Sequence, residues 1–295
     1  MVASPETIDH VVTTYAQAAE ANRDTPTRDG NIVSLSDDVA DDVLIAGDLH
    51  GQRNHFNKLC RIADLQSNVR RHLVLQEVCH GGPVYPTGSG CMSHLLLEDV
   101  ARLKVQYPER LHFLLSNHEL AELNDFPIAK GGNMLNLQFR AGLKAMYGES
   151  MMRVRDALVE FLSTCPLSVR LANGVFVSHG VPEDVDLEGF DTAVFKRRLT
   201  KNDLRQGGAA FRLVWGRDFR AQNAEALSRL IGATVFVHGH EPCADGFATP
   251  NDRQVILDCA GPNACYLIAP VGGTITHEQL VARIQRLHAV ATNDH

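Results

Sequence analysis

This 295-residue sequence predicts a layered α/β fold, on three observations. Short apolar runs alternate with helical patterns from Val43 onward. Hydrophobic residues make up 44% of the chain, enough for one large domain or two small ones. Five apolar runs carry a carboxylate, amide or imidazole at or just past their C-terminal ends, where open α/β sheets gather their ligands.

In chain order, "SPETIDHVVTTYAQAAEAN" predicts a leading helix, with Ser4 as N-cap, Pro5 at the first position and an apolar stripe of Ile8, Val11, Val12, Tyr15 and Ala19. Residues 23–40, rich in Asp, Arg, Thr and Ser, read mostly as a connector, so 1–40 is expected to form an N-terminal helix and connector ahead of the main domain at 41–295. "NHFNKLCRIADL" places Phe56, Leu59, Cys60 and Ala63 on one helical face, and "SHLLLEDVARLKVQY" is a second helix that Pro108 ends. Residues 119–170 predict a small helical layer interrupted at "KGGNM", and "HEQLVARIQRLHAV" predicts a closing amphipathic helix over 276–291.

The formal net charge is −7 and no Lys/Arg-rich run occurs, which argues against a nucleic-acid partner or an anionic membrane surface. It argues against a nuclease more than a phosphatase, because a local metal site can hold one phosphate on an acidic protein. Seven scattered cysteines, odd in number and without a CxxC pair, suit free thiols in a reducing compartment. With no signal-peptide pattern at "MVASPETIDHVV" and no membrane-spanning apolar run, the expectation is a soluble cytoplasmic protein.

The chemistry lies at the ends of the five runs. "VLIAGDLHG" supplies Asp48 and His50, "HLVLQEVCHGG" Glu77 and His80, and "LHFLLSNHE" Asn117 and His118. "GVFVSHG" supplies His179, and "ATVFVHGHEP" supplies His238 and His240. Singly, each has a plainer explanation: a capped turn at Asp48, a helix N-cap at Ser116 or Asn117, a satisfied core histidine at His238. Together they predict convergent oxygen and nitrogen donors for divalent Mn, Fe or Zn, and the lack of thiolates argues against a structural zinc.

Read in order, "GDLHGQ", "SNHE", "FVSHG" and "VHGHEP" resemble the signature of the calcineurin-like metallophosphoesterases. The branch they resemble most contains Ser/Thr phosphoprotein phosphatases and bis-nucleosyl tetraphosphatases. The resemblance extends over about residues 41–273, including "LKVQYPERLHFLLSNHE" and "VILDCAGPNACYLIAPVGG". It implies a four-layer sandwich of two mixed β-sheets flanked by helices. It also implies two divalent metal ions and a dimetal-bridging hydroxide acting on a phosphomonoester or phosphoprotein. Asp48 and His50 would bind the first ion, Glu77 would bridge, and Asn117, His179 and His240 would bind the second. His118 would protonate the leaving oxygen or grip the phosphate.

The second motif departs from the family pattern Gly-Asp-x-x-Asp-Arg-Gly, reading Gln76-Glu77-Val78-Cys79-His80-Gly81-Gly82. Glu77 keeps a carboxylate one methylene longer, His80 replaces the aspartate that orients the catalytic histidine, and Gly81 replaces the phosphate-gripping arginine. Leu115 stands where the family carries another arginine. Substrate contact then falls to Asn117, His118, His80 and Arg217 of "LVWGRDF"; Arg217 could equally be a surface residue paired with Asp218. "CHGGPVYPTGSGC" is either a substrate loop or a long turn. The alternatives to a phosphatase are a pseudo-phosphatase that binds metal or phosphate as a regulatory module, and a dinucleoside polyphosphate hydrolase.

Overall fold

The computed structural model describes residues 2–86, 88 and 90–289. Helix α1 (Pro5–Arg23) begins as expected: Ser4 Oγ accepts the Thr7 N–H at 3.2 Å with Pro5 in the first turn. Residues 23–40 are more than a connector. They contain strands β1 (Arg28–Asp29) and β2 (Ile32–Leu35), because Ile32, Val33 and Leu35 are apolar enough to be buried in a sheet.

Strands β3 (Asp42–Asp48), β4 (Arg71–Gln76) and β5 (Leu111–Phe113) follow, and helices α2 (Arg53–Ala63) and α3 (Ser93–Gln106) connect them. The connections are βαβ crossovers, so β3, β4 and β5 pair in parallel. Beyond them come α4 (Asn117–Asn124), a short hairpin of β6 (Ala129–Lys130) and β7 (Asn133–Met134), α5 (Leu135–Tyr147) and α6 (Met151–Ser163). The hairpin turns at Gly131 and Gly132, both at positive φ (57° and 80°), as a two-residue turn requires. Strands β8 (Ser168–Leu171), β9 (Val175–Ser178), β10 (Val235–His238), β11 (Phe247–Asn251) and β12 (Gln254–Leu257) join β1 and β2 in a seven-stranded mixed sheet. Helices α7 (Val185–Glu188), α8 (Ala209–Trp215) and α9 (Ala221–Ile231) lie between β9 and β10 in sequence. The second large sheet runs β14–β13–β3–β4–β5, with β13 at Cys265–Pro270 and β14 at Ile284–Arg286.

The closing helix is much shorter than its periodicity predicts. Helix α10 spans His277–Val281 only, and Ile284–Arg286 then pair with Leu267, Tyr266 and Cys265 of β13. The open edge of β13 offers unpaired backbone groups, and satisfying them outweighs a weak amphipathic preference. Residues 290–291 of the expected helix lie outside the described residues.

Alternation along each strand builds the layers. Val43, Ile45 and Val74 face Val169, Val177 and Val237 across the inter-sheet core, while Leu44, Ala46, Phe176 and Phe236 pack outward in the helix-lined cluster. The two sheets meet at the C-terminal end of β3, where Asp48 bridges to Asp258 and the Cys259 N–H donates to the Asp48 carbonyl at 3.0 Å. Gly47 permits that approach: a Cβ there would lie 2.0 Å from the Leu257 carbonyl oxygen.

One polar pair is buried away from the strand tips. His72 Nδ1 on β4 lies 2.9 Å from His112 Nε2 on β5; burial pushes His72 down to about 4 and holds His112 well below the usual imidazole value. Both are therefore neutral when folded, and their folded pKa values lie below the unfolded value. Unfolding takes up protons between pH 6.5 and 4, so the stability they support above 6.5 is lost as the pH falls through that window. His72 alone accounts for about 2 kcal/mol of stability lost between pH 7 and 5. Urea denaturation of chelator-treated protein at the two pH values is expected to show this loss. A His72→Asn/His112→Asn variant is expected to flatten the dependence.

Candidate metal centre

Strands β3, β4, β9 and β10, with the N-terminus of α4, deliver the predicted side chains to one buried cleft. The backbone marks the place: His50, Glu77, His80 and His240 all have positive φ (40°, 43°, 67° and 71°). Non-glycine residues adopt this region at a cost, and such strain concentrates where side chains must be aimed.

Glu77 lies at the middle. His50 Nε2 is 2.9 Å and His118 Nε2 3.8 Å from its Oε1. His179 Nε2 is 2.6 Å from Oε2 and 2.7 Å from Asn117 Oδ1, and 3.2 Å from His240 Nδ1. Two donor groups spaced for a cation thus share this one carboxylate: His50, Glu77 and His118 on one side, and Glu77, His179 and His240 on the other.

Hydrogen-bond parity tells how the rings are turned. Gln76 Nε2 donates to the Ala46 carbonyl at 2.9 Å, so its Oε1 accepts from His179 Nδ1 at 2.9 Å. That turns His179 Nε2 toward Glu77, whose charge raises the His179 pKa above the usual imidazole value against the effect of burial. His240 Nε2 donates to the Trp215 carbonyl at 3.1 Å, which leaves its Nδ1 without a hydrogen. Glu77 Oε2 is buried, with His179 Nε2 as its close neighbour at 2.6 Å. Ligand atoms of His179, His240, Asn117 and Glu77 therefore crowd together in one buried cluster. Oxygen and nitrogen donors gathered this closely fit the ions that the sequence implies, with bound cations taking the place of the imidazole protons.

Electrostatics agree. Burial alone would raise Glu77, but the imidazoles of His118, His179 and His50 hold it well below the usual carboxylate range. Burial opposes a charge on His50, yet Glu77 and Asp48 raise it to about 9. Burial, then the charge of Glu77, raises Asp48 to about 7. Burial pushes His118 down to about 3, and the neighbouring imidazoles of His50, His80 and His179 reinforce the shift against Glu77.

The other predicted residues take more particular places. Asp48 lies in the cleft with both carboxylate oxygens on the His240 N–H (3.0 and 2.9 Å), and belongs to neither donor group. A Cβ on residue 239 would lie 2.1 Å from Asp48 Oδ1, so Gly239 is what lets the carboxylate rest there. Arg217 reaches the rim, donating to Glu241 Oε2 and the His240 carbonyl, each at 3.0 Å; its carboxylate partner is Glu241, and Asp218 pairs with Arg220 instead. His80, expected among the substrate contacts, is fully buried with both ring nitrogens engaged, so it stands behind His118 and not against substrate. His238 is a satisfied histidine, contacting the Gly239 carbonyl at 3.1 Å and neutral because burial pushes it to about 4. All seven cysteines are free.

Sequence reasoning missed Gln76, the Trp215 carbonyl, Glu119 and Glu122. Glu119 had a signal, because Ser116-x-x-Glu119 matches a capping box. Ser116 is indeed the N-cap of α4, but Glu119 Oε1 instead accepts from the Val78 and Cys79 N–H groups at 3.0 and 2.7 Å, tying the second motif to the third.

No family model matches the chain. A curated relative, Serine/threonine-protein phosphatase T of Trypanosoma brucei brucei (strain 927/4 GUTat10.1), is 24% identical over 254 residues, covering 80% of this chain and 48% of the relative. The chain thus spans about half the length of that relative. Among solved structures, a protein serine/threonine phosphatase from Saccharomyces cerevisiae, described as similar to human phosphatase PP5, superposes with a TM-score of 0.72 at 16% identity. That match covers 97% of this chain and 91% of the other. A cold-active protein-tyrosine phosphatase of a psychrophilic Shewanella sp. gives a TM-score of 0.54 at 12% identity, covering 84% and 78% of the two chains. The resemblance to calcineurin-like metallophosphoesterases therefore extends from the motifs to the fold: two large mixed sheets flanked by helices. Among the described residues, no helix is long and apolar enough to cross a membrane.

Proposed function

We propose that this protein is a metal-dependent phosphoester hydrolase acting on a phosphomonoester or phosphoprotein. One observation carries the reading: two groups of buried ligand atoms share a single carboxylate, Glu77, at the C-terminal tips of a phosphatase-fold sheet. Asp48, His50 and Glu77 would hold one divalent ion, and Glu77, Asn117, His179 and His240 the other, with Mn, Fe and Zn all compatible with such donors. Bound there, the ions would supply Lewis acidity toward phosphoryl oxygens and a lowered pKa for water. The chain's own part is orientation. Gln76 and the Trp215 carbonyl fix the His179 and His240 rings, Asp48 fixes the His240 backbone, and burial keeps bulk water from screening the charges. Seven free thiols also suit a reducing compartment such as the cytoplasm.

The second reading, a metal-binding pseudo-phosphatase, is favoured by one specific observation: Gly81 and Leu115 offer no guanidinium, and Arg217 is already paired with Glu241. Turnover of an aryl phosphate by Mn²⁺-loaded protein separates the two. Hydrolysis that a chelator abolishes and Mn²⁺ restores is expected. His179→Ala and His240→Ala are each expected to lower bound Mn²⁺ per chain and to cut the rate on the order of a hundredfold or more. Metal-loaded wild type without turnover would leave the binding module as the function.

A further inference from the structure

Apart from the metal cleft, a cavity of about 760 Å³ is lined by the end of α4, by α6 and by the segment 198–206. None of the grouped metal donors lines it. Its walls are apolar. Leu123 and Phe126 at the end of α4, Val159 on α6, and Leu199 and Leu204 on the segment are all half-buried, and Leu115 beside them is buried. Apolar side chains left facing water inside a concavity gain from being covered. The volume is that of a small-molecule site.

The mouth of the cavity is positively charged. Arg198, Lys201 and Arg205 all line it, all are exposed, and none forms an ion pair among the described residues. No acidic side chain among the described residues lines it with them. Asp203, the single acid of residues 196–208, is turned inward. It accepts from both terminal nitrogens of the Arg197 guanidinium at 2.6 Å and from the Thr200 N–H and hydroxyl at 2.7 Å. Asn31 Nδ2 donates to the Val194 and Arg197 carbonyls at 2.7 and 2.8 Å, and Asn124 Nδ2 donates to the Leu204 carbonyl at 2.7 Å. The backbone that carries the three cations is thereby held at the mouth, although like charges repel and nothing within the protein offsets them. On a chain of net charge −7, this is a local exception that an anion would find.

We propose that this cavity binds a small anionic amphiphile, an alkyl chain with a carboxylate head. The apolar walls cover the chain, and Arg198, Lys201 and Arg205 meet the head at the mouth. One ligand of this kind answers both features, where an inorganic anion leaves the walls wet and a neutral lipid leaves the charges unmatched. An acidic peptide suits the rim, but its backbone would lie against walls of helix and loop that offer no strand edge to pair with. The inference goes beyond the metal centre, and neither bound metal nor turnover enters its test.

Calorimetric titration of the metal-free full chain with dodecanoate, kept below micelle-forming concentrations, tests it. Saturable binding of one molecule per chain is expected. Decanoate is expected to bind about tenfold more weakly, because two fewer methylenes are buried. Dodecyltrimethylammonium, the same chain with a cationic head, is expected to bind weaker than dodecanoate by on the order of tenfold or more. Arg198→Glu/Lys201→Glu/Arg205→Glu, at exposed positions without ion partners, is expected to weaken dodecanoate by on the order of tenfold while thermal unfolding stays in place. Val159→Trp fills the cavity and is expected to abolish binding. If that variant fails to fold, the chain-length and head-group series on the wild type decides. No saturable binding, equal affinity for the two head groups, or undiminished binding by the charge-reversed variant or by folded Val159→Trp would overturn the proposal. Hexaglutamate binding as tightly as dodecanoate would also overturn it, in favour of a surface for acidic peptides.

Discussion

Glu77→Ala is expected to lose both ions at once, where loss of any imidazole costs mainly one. Glu77 is the only side chain common to the two donor groups, with His50 on one oxygen and His179 on the other. Its removal leaves His50 and His179 without the carboxylate that draws positive charge to them. It also leaves His179, His240 and Asn117 without the anionic oxygen that would join their ion to the other one. Metal analysis after dialysis is expected to fall from two ions per chain to fewer than one. Hydrolysis is expected to fall on the order of a thousandfold or more, because charge stabilisation and water activation are lost together. Glu77→Asp separates charge from reach. It keeps the carboxylate, draws it back by about 1.5 Å, and is better tolerated at φ 43° because aspartate enters the left-handed region more readily than most residues. It is expected to retain metal and to change the rate by much less than Glu77→Ala.

Installing an arginine at position 81 is expected to tighten phosphate binding at a measurable cost in stability. A Cβ at Gly81 would lie 3.5 Å from the nearest atoms, His50 Cβ and the His50 carbonyl oxygen, so there is room for a side chain pointing beside the first donor group. The obstacle is the backbone: φ is +80°, where a non-glycine residue costs about 1–2 kcal/mol. A guanidinium gripping a phosphate oxygen contributes roughly 1.5–3 kcal/mol, so KM for an aryl phosphate is expected to fall about tenfold. Thermal unfolding of the same variant is expected to shift down by several degrees. An unchanged KM would mean that the phosphate lies elsewhere, with Arg217 the remaining guanidinium at the rim.

The motifs at the ends of β3, β4, β9 and β10 and at the start of α4 were legible because their information is local. A strand is read from a short apolar run, and a residue just past it lands at the tip of the sheet. That reasoning brought Asp48, His50, Glu77, Asn117, His118, His179 and His240 to one cleft. It failed where pairing is decided at a distance. Ile32–Leu35 joins the seven-stranded sheet because β8 runs beside it, and Ile284–Arg286 abandons a helix because β13 has a free edge.

The amino-acid sequence by itself determined the elements and the kinds of donor atom, since both follow from side-chain chemistry and its spacing along the chain. Only the tertiary structure decided which nitrogen of each imidazole faces the cleft. That choice belongs to Gln76, the Trp215 carbonyl and His80, which stand behind His179, His240 and His118. These partners lie far apart in sequence, and a hydrogen bond acts over about 3 Å, so their effect exists only once folding has brought them into contact.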